Sequence, residues 1–186
     1  MKRGIQTAVL VIATIILIAC IVLAVVKFGL LSRDRGIPLV KEGKALATVV
    51  VEQSKKEKKE KTELDDVVAA RVLVDWIKKI TDVSLPVVET PPKSGPVIYI
   101  GAAAAKAGLK LDDIQSPSKE GLRIKTEGNR ILIAGQNPTA TVKAVCRFLE
   151  ELACRYFMEG PMGEVYPRQK SFSVGSLNIT DQPDFL

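Results

Sequence analysis

The stretch Gly121–Leu152, GLRIKTEGNRILIAGQNPTATVKAVCRFLEEL, decides the fold class. Leu122, Ile124 and Thr126 alternate with Arg123, Lys125 and Glu127, the period of a half-buried strand. Gly128-Asn129 reads as a two-residue turn of the primed kind. Ile131, Leu132 and Ile133 return from it, and Gly135 closes the strand. Asn137-Pro138 then starts a helix. An asparagine side chain can accept from a free N–H of the first turn, and proline's missing N–H costs nothing at the first helical position. The helix runs to about Leu152, with Lys143, Arg147, Glu150 and Glu151 on its charged face. Val142, Val145, Cys146, Leu149 and Leu152 form the expected buried stripe.

Upstream, Gly43–Glu52 contains the β-branched run Thr48–Val51, which fits a buried strand. Gln53–Lys61 is almost wholly polar and reads as a charged loop or the first turns of a helix. A helix is predicted over Thr62–Ile80, opened by a capping-box-like pair, Thr62 and Asp65. Arg71, Asp75, Lys78 and Lys79 make its charged face. Ala69, Leu73, Trp76, Ile77 and Ile80 make its apolar face, with Trp76 read as core packing. Leu85-Pro86 and Pro91-Pro92 mark loop or edge structure. Val97–Ile100 is a short buried strand, and Ala102–Ala107 a short helix closed by Gly108. Downstream, Arg155–Phe157 reads as a short strand and Phe172–Ile179 as a last extended segment. This order predicts an α+β fold: a mixed β-sheet with two main helices packed on one face.

The N-terminus differs in kind. Met1-Lys2-Arg3 precedes 22 uncharged residues, Ile5–Val26, long enough to span about 30 Å of hydrocarbon. A single transmembrane helix is therefore expected ahead of the domain. Residues 1–36 form the anchor and residues 37–186 the folded part, with the charged loop near 53–61. Leu17-Ile18-Ala19-Cys20 resembles a lipoprotein cleavage box, yet the residues after it stay apolar. A cleaved signal, whose apolar core is usually about 7–15 residues, is the other alternative. Basic residues flank the run on both sides, so charge leaves its orientation open. A membrane location, with the domain outside the cytoplasm, is the expectation.

Composition narrows the function. The net charge is +6, but much of the excess sits beside the apolar run and at Lys55, Lys56, Lys58, Lys59 and Lys61. No aromatic residues interleave with those lysines, which argues against nucleic acid. There is no histidine. That removes Ser-His-Asp and Cys-His activation and the histidine-containing zinc sites, and three cysteines cannot make a four-cysteine site. Cys146 and Cys154 would lie about 12 Å apart along a continuous helix, beyond the roughly 7 Å that a disulfide allows. Free, buried thiols are expected.

Glycosidases need two carboxyl groups held across one bond. Asp112 and Asp113, Glu150 and Glu151, Glu159 and Glu164, and Asp181 and Asp184 are available. Glu150 and Glu151, however, sit beside Arg147 at ordinary helical ion-pair spacing, and Asp112 and Asp113 lie in a loop. Gly101–Gly108 follows a strand but lacks the glycine-rich phosphate-loop signatures and reads as a strand-to-helix turn. Asn178-Ile179-Thr180 is a glycosylation sequon, meaningful only in a suitable secretory host. No catalytic, cofactor-binding or metal residue is assigned.

From about Gly43 onward, several short motifs fall in one order. They are Ala69-Ala70 with Trp76-Ile77-Lys78-Lys79-Ile80-Thr81 and Leu85-Pro86; Ile98-Tyr99-Ile100-Gly101; Glu120–Ile124 with Gly128–Ile131 and Ile133–Gly135; Ala144–Glu151; Cys154–Phe157; Gly163–Pro167; and Pro183-Asp184-Phe185. Together they resemble the N-terminal accessory domain ahead of the catalytic barrels of family 67 α-glucuronidases and family 20 β-N-acetylhexosaminidases. The similar domain at the front of large bacterial glycosidase-like proteins is a closer likeness. Relatives usually have glycine where this chain has Ala140 and Ala153. In them Pro-Asp-Phe leads into the barrel, whereas this sequence ends at Leu186. The resemblance implies a non-catalytic accessory domain associated with polysaccharide or glycoside breakdown, from a truncated or split glycosidase, with a catalytic barrel as partner. A stand-alone glycan- or protein-binding module is the alternative. An apolar patch on the sheet face would favour the first, and a concave groove with exposed aromatics the second.

Overall fold

A computed structural model describes residues 36–52 and 65–183. The apolar run 5–26, the charged loop 53–61, Thr62 and Asp184 lie outside the described residues. Among those described, no helix is long and apolar enough to cross a membrane.

The strands are β1 (Ile37–Lys41), β2 (Lys44–Ala45), β3 (Thr48–Val50), β4 (Val87–Val88), β5 (Val97–Ile100), β6 (Leu122–Glu127), β7 (Arg130–Gly135), β8 (Arg155–Tyr156), β9 (Glu164–Val165), β10 (Phe172–Val174) and β11 (Asn178–Asp181). The helices are α1 (Asp66–Thr81), α2 (Ala102–Lys106) and α3 (Pro138–Glu151), with a 3-10 turn at Pro161–Gly163. A six-stranded sheet has the order β11-β6-β7-β5-β3-β4. Strands β4, β3, β5 and β7 are parallel, and β6 and β11 add antiparallel. The fold is α+β with a mixed sheet.

Alternation sorts the strand residues by face. Val49, Ile98, Ile100, Leu122, Ile124, Ile131 and Ile133 meet α1 and α3 in the main core. Tyr99, Leu132 and Ala134 point the other way, toward Ala104 of α2 and Leu109. A third, short helix thus covers part of the opposite face. The β6–β7 hairpin has the expected two-residue loop, with Glu127 opposite Arg130. Gly128 has φ +56°, at the first loop position, where a type II′ turn places glycine.

Several expectations need correction. The α1 helix begins at Asp66, because Asp65 is its N-cap and accepts from Val68 N at 2.7 Å. Phe172–Ile179 is two strands in two sheets. β10 pairs with β1, a strand missing from the expected order, and β11 pairs with β6. The buried stripe of α3 runs through Ala140, Thr141, Ala144, Val145, Phe148 and Leu149. Cys146 lies off that stripe and is exposed, while Cys154 is buried. Trp76 is half-buried; it packs on the core's edge, not inside it.

Candidate functional site

In parallel α/β sheets, ligands often bind beyond the carboxyl ends of the strands, where helix N-termini gather. Here the chain's own side chains take the helix N-termini at that edge. Asp65 caps α1, and Asn137 caps α3 by accepting from Ala140 N at 2.7 Å. The Asp66 carboxylate accepts from Ala102 N at 2.8 Å, at the start of α2. It fills the space that a Cβ at Gly101 would need. Gly101–Gly108 is thus a strand-to-helix turn with a resident carboxylate, ill-suited to phosphate.

The exposed apolar surface lies elsewhere. After α3 the chain turns back at Ala153 into the β8–β9 hairpin. This short ribbon exposes Tyr156, Phe157 (73%), Met158, Met162 (94%) and Val165. Isolated exposed hydrophobics are ordinary, but five on one short hairpin, with Tyr156 and Val165 on opposite faces of the ribbon, are of the kind that marks an interaction surface. Beside it lies an open groove of about 360 Å³, lined by Trp76, Cys146, Leu149, Cys154, Tyr156 and Phe157 among others. Glu150, Glu164 and Arg155 supply its polar wall.

The hairpin is tied to α1 by Glu164, which accepts from Lys79 Nζ at 2.6 Å. The same ammonium lies 4.8 Å from the Trp76 ring centroid, within cation–π range. Tyr166 meets that ring edge-on, with centroids 6.0 Å apart. The indole therefore already has two aromatic or cationic neighbours. Arg168 lies over the Tyr166 ring at 5.8 Å.

The acidic residues singled out from sequence are scattered. Arg147 pairs with Glu151 at 2.6 Å and Glu150 at 3.4 Å. Asp113 takes both terminal nitrogens of Arg123, on the sheet's other face, and that hydrogen bonding holds its carboxyl below the usual range. Glu127 is also shifted down, by Lys125 first and then Arg130. Glu159 is exposed on the hairpin, and Asp181 ends β11. Among the described residues no cluster of three or more His, Cys, Asp or Glu could hold a metal ion. Burial pushes the Cys154 thiol to about 11. Cys146 is exposed as a residue, but its place in the groove wall partly desolvates the thiol, and this, then the Glu150 carboxylate, raises it. Neither is tuned to be a thiolate nucleophile.

Sequence reasoning missed the hairpin as a site. The signal was present in Tyr156-Phe157-Met158, where large apolar residues stand in a row without the alternation of a half-buried strand. No family model matches the chain, and no curated protein matches it.

Proposed function

We propose that this chain is a membrane-tethered, non-catalytic accessory domain of the carbohydrate-active-enzyme type, which holds a partner catalytic domain through its β8–β9 hairpin face. The observation that carries the reading is the run of exposed apolar side chains from Tyr156 to Val165 beside the Trp76 groove. A bracing domain must bury surface against what it braces, and aliphatic Met158 and Met162 suit a protein surface better than a sugar. These side chains are on a hairpin and not on the sheet face, where an apolar patch is expected of a bracing domain. The tether is proposed from the uncharged run Ile5–Val26, and the link to glycoside breakdown from the family resemblance.

The test is a photo-crosslinking amino acid at position 157 of the full chain, in its native membrane. Crosslinks to a carbohydrate-active protein are expected. Crosslinks to lipid alone would overturn the reading.

A stand-alone glycan-binding module is the second reading, favoured by the concave groove with Trp76, Tyr156 and Phe157 in its wall. It is weakened by Lys79 and Tyr166, which already engage the indole. Soluble glycans that shift Trp76 emission at submillimolar concentration would restore it.

A further inference from the structure

Arg155 is the one groove-wall cation without a carboxylate partner among the described residues. Its Nη1 donates to the Glu150 carbonyl at 2.8 Å and to the Cys154 carbonyl at 2.7 Å. Glu150 is in the last turn of α3, where the helix dipole favours a positive charge, and Cys154 follows the turn that ends the helix. The guanidinium is thereby fixed in place at the groove wall. Its Nε and Nη2 make no hydrogen bond among the described residues. The nearby acids are engaged elsewhere: Glu150 and Glu151 with Arg147, and Glu164 with Lys79. An exposed, pre-positioned guanidinium with one free edge matches a carboxylate's two oxygens. Beside it the groove offers an apolar wall of Trp76, Leu149 and Cys154.

We infer that the groove takes a protein segment presenting a carboxylate next to a large apolar side chain, the carboxylate meeting the free edge of Arg155 and the apolar group filling the space against Trp76 and Leu149. This rests on the docking reading above and names the chemistry of the partner. Arg155 would act as its specificity determinant. A purely apolar partner would leave the guanidinium buried and unpaired at the contact, which is costly. An aspartate or glutamate beside the anchor removes that cost.

The experiment uses the full chain in lipid nanodiscs and three acetylated, amidated tetrapeptides: Gly-Asp-Phe-Gly, Gly-Asn-Phe-Gly and Gly-Asp-Ala-Gly. The readout is emission from Trp76, the single tryptophan. The Asp-Phe peptide is expected to bind about tenfold more tightly than either control. Arg155→Gln should abolish the preference for Asp over Asn while leaving the circular dichroism of the helices unchanged. Arg155→Lys, which keeps the charge and loses the fork, should retain only part of it. Equal binding of the Asp and Asn peptides, no response to any of them, or a preference that survives Arg155→Gln would overturn the inference. So would competition by sodium glucuronate at equal strength, which would assign the guanidinium to a sugar acid. A crosslink from position 157 to a carbohydrate-active protein, with these peptide results negative, would leave the docking reading standing and remove only this one.

Discussion

The Cys154 N–H donates to the Leu149 carbonyl at 3.0 Å, and the Ala153 N–H to Glu150 at the same distance. Together they form a Schellman turn at the end of α3. That turn sends the chain back along the helix, delivering Cys154 and Arg155 to the groove. It also forces Ala153 to φ +61°, a left-handed conformation that costs a residue with a Cβ about 1–2 kcal/mol. Glycine would relieve that cost but gains about 0.4–1 kcal/mol of freedom in the unfolded chain. The first term is at least as large, so Ala153→Gly should raise stability, by up to about 1.6 kcal/mol. Urea unfolding of residues 36–186 would check it, and a loss of stability would mean the turn is not formed as described.

Leu149 is 4% exposed and Phe148 fully buried against the sheet. Leu149→Ala should cost about 2–5 kcal/mol and Phe148→Ala about 3–5 kcal/mol, comparable to the whole stability of a small domain. Trp76→Phe keeps a ring at a half-buried site and should cost far less, although it loses part of the cation–π contact with Lys79. If Trp76→Phe proved as costly as Leu149→Ala in the same unfolding series, the indole would belong to the core after all.

The regular elements were legible because their signals are local. Alternation in Leu122–Glu127 and the cap at Asn137 require only neighbouring residues. The short ladders were not. β1 finds its partner β10 more than 130 residues away, with Ile37 opposite Val174, and β4 has two residues. Cys146 was misplaced because the apolar stripe was centred on large residues, whereas the helix approaches the sheet through Ala140 and Ala144. The hairpin face escaped notice because exposure, unlike periodicity, depends on what packs against it.

The two described thiols offer a pH test. Cys154 has its thiol pushed to about 11 from 9.0, so its thiolate is about a hundredfold scarcer than for a free cysteine near neutral pH. Iodoacetamide at pH 7.5, followed by peptide mapping, should label Cys154 far more slowly in the folded protein than in urea. Cys146, exposed but also raised, should react at an intermediate rate. Linkage gives the sign for stability. Both folded values lie above the unfolded one, so this contribution is intact below pH 9, and that of Cys154 is lost as pH rises toward 11. Rapid labelling of native Cys154 at pH 7.5 would contradict the burial.

The proposed tether predicts fractionation behaviour. The full chain should stay in the membrane pellet after a carbonate wash, at full length by mass. Replacing both Leu17 and Val22 by Arg should release it, since each central charge costs about 2.5–3.5 kcal/mol on insertion. A shortened, soluble product from the unaltered chain would instead indicate a cleaved signal.

Cleaving a glycosidic bond requires two carboxyl groups about 5–5.5 Å apart for retention, or roughly 6.5–9.5 Å for inversion, with a sugar between them. In this domain Glu164 is held by Lys79, Glu150 and Glu151 by Arg147, and Asp113 by Arg123 on the sheet's opposite face. For Asp113 the Arg123 guanidinium also holds the carboxyl below its usual range, the reverse of what a general acid needs. Purified residues 36–186 should therefore show no turnover of aryl glycosides, including the glucuronide and the N-acetylglucosaminide, even at high protein concentration. Glu164, in the groove wall, is the carboxylate best placed to prove this wrong. Turnover that disappears with Glu164→Gln, while the fold is unchanged, would make the groove an active site. Turnover that survives this substitution and Glu150→Gln alike would point to a contaminant.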